Sequence, residues 1–389
     1  MRLSDGAMAE LTALTADERT AVMRALEAGD RDADEAGAPA PDLPVARPIT
    51  HWQNEPAPAA VLWRDLGEAQ ASGNSDEAKD AICSAGEPCI LAAPGGSGKS
   101  YLTLALAASA VGAACAEAAF GTACGLRIRP GPVVLLSYED RPRRTWHRFR
   151  YVAGADNCCI PDDVRANVHV IDPAVPLYEA DPDKRLGIRP ALGWAALWTA
   201  VEKIQPSLVI VDPLSAALEG VSVNEGSAVR RFMAAVADAS DRFNVGLMFV
   251  AHDTKAARSE TRRGGDPGAG AVAGSGVWFD AARAVVYLFT HAATGERLLQ
   301  ALKVNNGRGG WGRALDAIGG SDTGQPFAGF RADGDDLDPD AAIAMRSEWE
   351  AASTRDAIER ETRAKAEGRA AAKAKNQGNG NDDDANPFK

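Results

Sequence analysis

Ala93-Pro94-Gly95-Gly96-Ser97-Gly98-Lys99-Ser100 places glycines, one lysine and one hydroxyl in the order that grips a triphosphate. Gly95, Gly96 and Gly98 let the backbone aim its N–H groups at phosphate oxygens, and the helix that follows presents its positive end. Lys99 is placed to reach the β and γ oxygens and Ser100 to ligate Mg²⁺. Ala93 stands where the first glycine of this phosphate-loop pattern usually falls, and Tyr101 directly follows it. The residues from Ala93 to Tyr101 are therefore the expected nucleotide contacts, with ATP and Mg²⁺ the expected ligands. A glycine-rich turn with no ligand is the plain alternative. An apolar strand before the loop, a long helix after it and the Gly-Lys-Ser ending argue against that alternative.

Three further residues end apolar strands. Leu208-Val209-Ile210-Val211 leads into Asp212, a carboxylate in position to reach a water on the metal, so Ser100 and Asp212 form the expected metal set. Pro213 follows, so no glutamate stands next to that aspartate and a catalytic base has to come from elsewhere. Glu139, after Val133-Val134-Leu135-Leu136-Ser137, is the better candidate of the pair Glu139-Asp140, the alternative being a surface acid that opens the next helix. Gly246 to Ala251 runs into His252, which is either structural or a sensor of the γ-phosphate.

These positions need a scaffold of strands whose ends converge. Short apolar runs at Cys89–Ala92, Val133–Ser137, Leu208–Val211, Leu247–Ala251 and Val285–Phe289 predict buried strands. Between them, Tyr101–Ala118, Gly193–Ile204 and Ala228–Phe243 predict crossover helices, so the expected class is α/β with a mostly parallel, doubly wound sheet. The chain divides into residues 1–57, an N-terminal helix and flexible linker, 58–333, the NTPase core, and 334–389, a charged C-terminal helix with a disordered acidic tail.

Composition sets limits on function. The chain has 389 residues, 46% of them hydrophobic, which suffices for one large domain with extensions. A formal net charge of −12 means that any polyanion must be met by a local basic patch. The six cysteines form no Cys-x-x-Cys pair, and the reading is reduced thiols in a soluble, cytoplasmic protein. The first twenty residues lack a signal-peptide apolar run, and no segment has the apolar length of a spanning helix, so no membrane partner is expected.

Taken in order, APGGSGKS, VVLLSYED, LVIVDPLSAALEG, GLMFVAHDTK, VAGSGVWFDAARAVVYL and ALKVNNGRGG resemble the RecA-like replicative helicases of the RepA type from plasmids and phages, and more distantly DnaB. The resemblance covers about Pro58 to Gly310. It implies a RecA-like P-loop core, Glu139 as catalytic base, His252 as sensor, and a homo-oligomer, a six-membered ring with ATP sites between subunits. It also places Arg283 where the RepA-type arginine finger lies. DnaB-like relatives use a Lys-x-Arg-Asn-Gly stretch for that duty. Here Lys303-Val304-Asn305-Asn306-Gly307 keeps the lysine and has Asn in place of Arg, so the resemblance shifts the finger to Arg283 with Lys303 as its assistant at the nucleotide. An ion pair between Arg283 and Asp280 on one helix face is the alternative.

Between His252 and Gly276 runs a long loop carrying Lys255, Arg258, Arg262 and Arg263, the expected contacts to single-stranded DNA along a ring channel, with a solvated loop as the alternative. A second basic cluster, Arg141, Arg143, Arg144, Arg148 and Arg150, follows Glu139 and serves either a subunit interface or the coupling of hydrolysis to movement. The ending DDDANPFK resembles the acidic tip of bacterial single-stranded-DNA-binding proteins and is either a dock for a replisome partner or a solubilising tail. The resulting expectation is an ATP-dependent DNA helicase-like motor in replication or recombination of a plasmid, phage or similar element. Two rivals stand beside it: a RecA-like ATPase acting as recombination mediator without unwinding, and a nucleotide-switched regulatory ATPase that binds a protein partner.

Overall fold

The computed structural model describes residues 59–64, 81–115, 121–152, 166–172, 174–182, 187–222, 224–255, 257, 268–274, 276–291, 295–305, 309–320 and 325–378. Three sheets are present among them. The central one has nine strands: β3 (Cys89–Ala93), β6 (Val133–Ser137), β7 (Val168–Val170), β10 (Leu208–Asp212), β12 (Gly246–His252), β13 (Ala284–Thr290), β14 (Arg297–Val304), β15 (Gly312–Gly320) and β16 (Gln325–Leu337). Its order is β16-β15-β14-β13-β3-β12-β10-β6-β7. Pairing is parallel from β13 through β3, β12, β10 and β6 to β7, and antiparallel from β13 outward to β16. Each of the five sequence-predicted strands lies inside an observed one.

Both faces of the parallel part are covered, which is why its strands read as continuous apolar runs rather than alternating ones. Leu208 and Ile210 of β10, Met248 and Val250 of β12, and Cys89 and Leu91 of β3 face one side. There they pack with Leu102 and Leu106 of α1 (Lys99–Cys115) and Phe149 of α2 (Pro142–Val152). Val209 and Val211, Leu247 and Phe249, and Ile90 and Ala92 face the other. Their neighbours are Leu197 and Trp198 of α3 (Leu192–Ile204), Phe232 and Val236 of α4 (Gly226–Arg242), and Trp278 of α5 (Gly276–Ala281). This is the doubly wound α/β arrangement expected from the sequence.

The periphery goes beyond those expectations. One small sheet joins β1 (Ala60–Arg64), β2 (Ala81–Ser84), β4 (Gly121–Ala123) and β5 (Leu126–Ile128). Another joins β8 (Tyr178–Ala180), β9 (Ile188–Pro190) and β11 (Leu218–Glu219). The last sheet strand, β16, runs on to Leu337, past the expected core boundary at 333, and α6 (Pro339–Gly378) follows almost at once. Arg313 joins these outer parts: it pairs with Asp336, Arg64 reaches the same carboxylate at 3.4 Å, and Arg64 lies over the Trp311 ring. The N-terminal segment 1–57, the tail DDDANPFK and Cys158 and Cys159 lie outside the described residues, while Cys83, Cys89 and Cys124 are free thiols.

Candidate active site

The carboxyl ends of β3, β12, β10 and β6, four neighbours in the sheet, deliver the candidate residues to one edge, the place where open α/β sheets bind ligands. Register makes the convergence explicit: His252 pairs with Ala93, and Asp212 with Ser137. The phosphate loop leaves β3 after Ala93 and enters α1. That helix begins at Lys99 rather than at Tyr101, its first bonds running from the N–H groups of Tyr101 and Leu102 to the Gly98 carbonyl, 3.0 Å each. A helix start on the lysine puts the unfulfilled donors of the first turn beside the loop itself, where an anion is held.

Glycine is required at two loop positions by conformation: Gly96 has φ +75° and Gly98 +100°. At Gly98 a Cβ would also stand 2.5 Å from the Phe330 ring, whereas at Gly95 and Gly96 it would meet nothing within 4 Å. The loop is thus braced on one side and open on the other. Bracing comes from the antiparallel extension, since Arg297 Nε donates to the Ser97 carbonyl at 3.1 Å and its guanidinium lies over the Phe330 ring. Neither Arg297 nor Phe330 carries any sequence signal; each stands about 200 positions or more from the loop, beyond the reach of local pattern reading.

Lys99 is buried, and three acceptors surround its ammonium: the carbonyls of Ala93 at 2.9 Å and Pro94 at 2.8 Å, and His252 Nδ1 at 3.4 Å. Since an ammonium can only donate, Nδ1 accepts, and the neutral imidazole carries its proton on Nε2. That nitrogen lies 3.3 Å from Glu139 Oε1. Lys99, His252 and Glu139 are therefore linked in series, and the outer pair faces solvent, with Glu139 58% and His252 40% exposed.

On the opposite side of the loop, Ser100 Oγ donates to Asp212 Oδ2 at 2.9 Å. Burial raises the Asp212 carboxyl above its usual range, with the Glu139 charge adding to the rise, while the Ser100 hydrogen bond, Lys99 and His252 work against it. A hydroxyl and a desolvated carboxylate side by side suit Mg²⁺, which takes one or two protein oxygens and keeps its waters. The buried Ser97 hydroxyl has no hydrogen-bond partner, a polar atom left for a phosphate oxygen. Together with the open side at Gly95 and Gly96, these residues fit a magnesium nucleotide.

The two adjacent acids separate by their partners. Asp140 is tied to Arg148 one helix turn and more ahead, and its N–H meets Ser137 Oγ at 3.3 Å. It acts as an anchor for α2. Glu139 has His252 and the solvent. Arg148 also lies over the Tyr101 ring, so α1 and α2 are joined beside the loop.

Arg283 and Lys303 sit elsewhere. Arg283 precedes β13, its N–H donating to the Pro88 carbonyl ahead of β3, while the phosphate loop leaves the other end of that strand. Four residue steps separate those ends, roughly 13 Å at strand rise. Lys303 lies beside Arg283 through the Lys303–Val285 pairing of β14 and β13, and its ammonium caps α5 by donating to the carbonyls of Phe279 at 3.0 Å and Asp280 at 2.8 Å. Desolvation lowers the Lys303 pKa, Asp280 opposing and Arg283 assisting. Lys303 therefore does not touch the nucleotide loop of its own chain. The ion pair of Arg283 with Asp280 is also absent among the described residues: α5 ends at Ala281, so the two do not share a helix face.

Lys255 is exposed and helical with Ala257, and the segment is pinned by Thr254, whose hydroxyl donates to Gly270 O at 2.9 Å. Instead of one long structureless loop, it contains this short turn and a second at Gly268–Ala271. Arg258, Arg262 and Arg263 lie outside the described residues. Among the described residues no helix is long and apolar enough to cross a membrane.

With this geometry in place, the chain can be set beside known proteins. Residues 59–258, more than half of the chain, match the family described as AAA domain. No curated protein matches the sequence. Among solved structures the chain is similar to the ATPase domain of a helicase, at 13% identity over 59% of this chain and 80% of that one, with a TM-score of 0.41. The central sheet and its phosphate loop form a RecA-like P-loop α/β core.

Proposed function

This chain belongs to the AAA domain family of P-loop ATPases, and from that premise we propose that it is an ATP-hydrolysing motor of the RepA helicase type, acting on single-stranded DNA as a ring. The observation that carries the reading is the series Lys99–His252–Glu139 at the ends of adjacent strands, with Ser100–Asp212 beside it. It joins the residue that meets the γ-phosphate to the carboxylate that would activate water.

Bound magnesium supplies charge neutralisation between the β- and γ-phosphates. Ser100 and Asp212 would hold it. Lys99 exchanges its carbonyl and imidazole partners for phosphate oxygens, which frees His252 Nδ1. His252 then reports the exchange to Glu139 through Nε2. Glu139 orients the attacking water and takes its proton. In this reading the positive charge needed on the γ-phosphoryl oxygens comes from Arg283 of a neighbouring copy, because Arg283 cannot reach its own loop.

Lys255 and the Arg258, Arg262 and Arg263 segment, which follow the sensor His252 directly in sequence, are assigned to the DNA strand. The test is the ATPase rate with and without single-stranded oligonucleotide, together with particle mass in Mg-ATP and a duplex-unwinding assay. Stimulation, a ring-sized particle and unwinding are expected. Stimulation without unwinding would replace the helicase by a recombination mediator. Steady ATPase activity indifferent to DNA, in a particle that stays monomeric, would overturn the motor reading in favour of a nucleotide switch.

A further inference from the structure

α2 is the one helix whose buried and exposed sides differ most sharply in charge. Thr145, Phe149 and Val152 are buried. At about 100° per residue they share one side, which puts Arg143, His147 and Arg150 on the opposite ridge, Trp146 on one flank and Tyr151 with Arg144 on the other. Five arginines lie between Arg141 and Arg150, in a chain whose formal charge is −12. Only Arg148 is committed, to Asp140; the Arg144–Asp140 approach is 4.0 Å with Arg144 mostly exposed, and surface pairs of that kind add little. Among the described residues no carboxylate pairs with Arg143 or Arg150.

The aromatic residues make this more than a solvated basic face. Among the described residues the exposed large hydrophobics are Trp146, Tyr151, Ile343 and Ile358, so α2 holds both aromatic members of that set. Trp146 is 42% and Tyr151 41% exposed, and Arg150 lies over the Tyr151 ring. A protein partner of acidic character would use the arginines and leave the rings in water. A single strand of nucleic acid uses both, with phosphates on guanidinium groups and bases on rings. From Arg143 to Arg150 the helix rises about 10 Å, room for two or three phosphates along a strand.

We propose that the exposed face of α2, with Arg143, Trp146, Arg150 and Tyr151, is a second binding surface for single-stranded nucleic acid, separate from the segment after His252. The inference rests on the reading that this chain engages single-stranded DNA. Its consequence is mechanical. α2 starts directly after Glu139-Asp140 and is fastened there by Arg148, so a strand held on α2 pulls on the same element that carries the catalytic carboxylate.

Fluorescence anisotropy of labelled oligo(dT) on the full chain tests this, with circular dichroism as the folding control. Arg143→Glu with Arg150→Glu should weaken binding at least ten-fold and make the slope of log affinity against log salt shallower by about one per lost phosphate contact. Trp146→Ala should weaken it about five-fold or more, the effect of one lost stacked base, and Trp146→Phe should restore most of it. An oligonucleotide carrying 5-iodouracil should crosslink to the peptide containing Trp146 and Tyr151. If the wild type binds and these variants bind equally well, while charge reversal at Arg262 and Arg263 abolishes binding, the α2 site is wrong and the motor reading stands. A change in particle mass with unaltered oligonucleotide affinity would make the face an interface between copies and also overturns the site. A wild type with no affinity for any single strand removes the DNA reading and this inference with it.

Discussion

Glu139 and Asp140 are chemically alike and adjacent, yet their surroundings give them different work. Asp140 is spent on Arg148, and Glu139 faces the imidazole that Lys99 contacts. Glu139→Gln is therefore expected to keep nucleotide affinity and lose hydrolysis by about 10² to 10⁴-fold, the range for a missing general base. Asp140→Asn should retain turnover and lower thermal stability by loosening α2. Single-turnover ATPase and calorimetry on both variants decide the matter, and a dead Asp140→Asn beside an active Glu139→Gln would reverse the assignment. Asp212 gives a prediction with a pH sign. Its folded pKa is raised, chiefly by burial, so the folded chain binds that proton more tightly than the unfolded chain does. The ionised carboxylate hence costs stability at neutral pH, and the cost fades as the pH falls through the raised value and below the ordinary carboxylate range. Asp212→Asn, which keeps an acceptor for Ser100, should raise the melting temperature of nucleotide-free protein at pH 7 by on the order of 2 °C. That gain should vanish in acid, while Mg-ATP turnover is lost at every pH. A variant that melts lower than wild type at pH 7 would show that the Ser100 bond outweighs the burial.

At the scale of elements, the strands that carry the site are legible in the sequence because each is an apolar run buried on both faces and closed by a polar residue. Val133–Ser137, ending beside Glu139, matches in its bounds, and α3 begins only one residue earlier than its helical period suggests. What cannot be read is anything fixed by pairing between distant segments. Gly98 signals a turn in any P-loop, but that Phe330 closes on it is a property of β16, which lies on the far edge of the sheet order. Lys303 reads as a nucleotide contact because its neighbours match a motif; in space its ammonium is taken up by the end of α5. The brace leads to an expectation of its own. Arg297→Ala removes the bond to the Ser97 carbonyl and the cover over Phe330, leaving every residue of the loop in place. ATP affinity should fall about five-fold, the worth of roughly 1 kcal/mol from one hydrogen bond. The catalytic constant at saturation should change little, because Glu139 and His252 stand on other strands. Titration with a fluorescent ATP analogue and saturation kinetics separate the two quantities, and an unchanged affinity would mean that the loop holds its form without the extension.

The whole molecule poses one problem that a single chain does not solve. Lys99, His252, Glu139, Ser100 and Asp212 gather at the carboxyl ends of the parallel strands, and Arg283 with Lys303 gathers at the opposite ends. A polar arrangement of this sort becomes complete only if one copy sets its Arg283 edge against the nucleotide edge of the next, head to tail, as ring-forming interfaces do. Arg283 is exposed and Lys303, by lending its positive charge to the same spot, keeps that edge cationic. On the ring reading, Arg283→Ala should bind ATP normally and lose about 10³-fold in hydrolysis, the scale of a missing arginine finger. Lys99→Ala should lose nucleotide binding or turnover by removing the ammonium from the loop. Each protein alone is then inactive for a different reason. Mixed, they should regain part of the activity, since some interfaces will place an intact Lys99 loop of one copy against an intact Arg283 of the next. Activity plotted against mixing ratio should rise to a maximum between the two pure proteins, after subunit exchange has been verified with labelled copies. Were the mixture to stay inactive at every ratio despite exchange, Arg283 would be a residue of its own chain's fold, and charge removal at Lys303 and at Arg308 would be the next test of which cation crosses the interface.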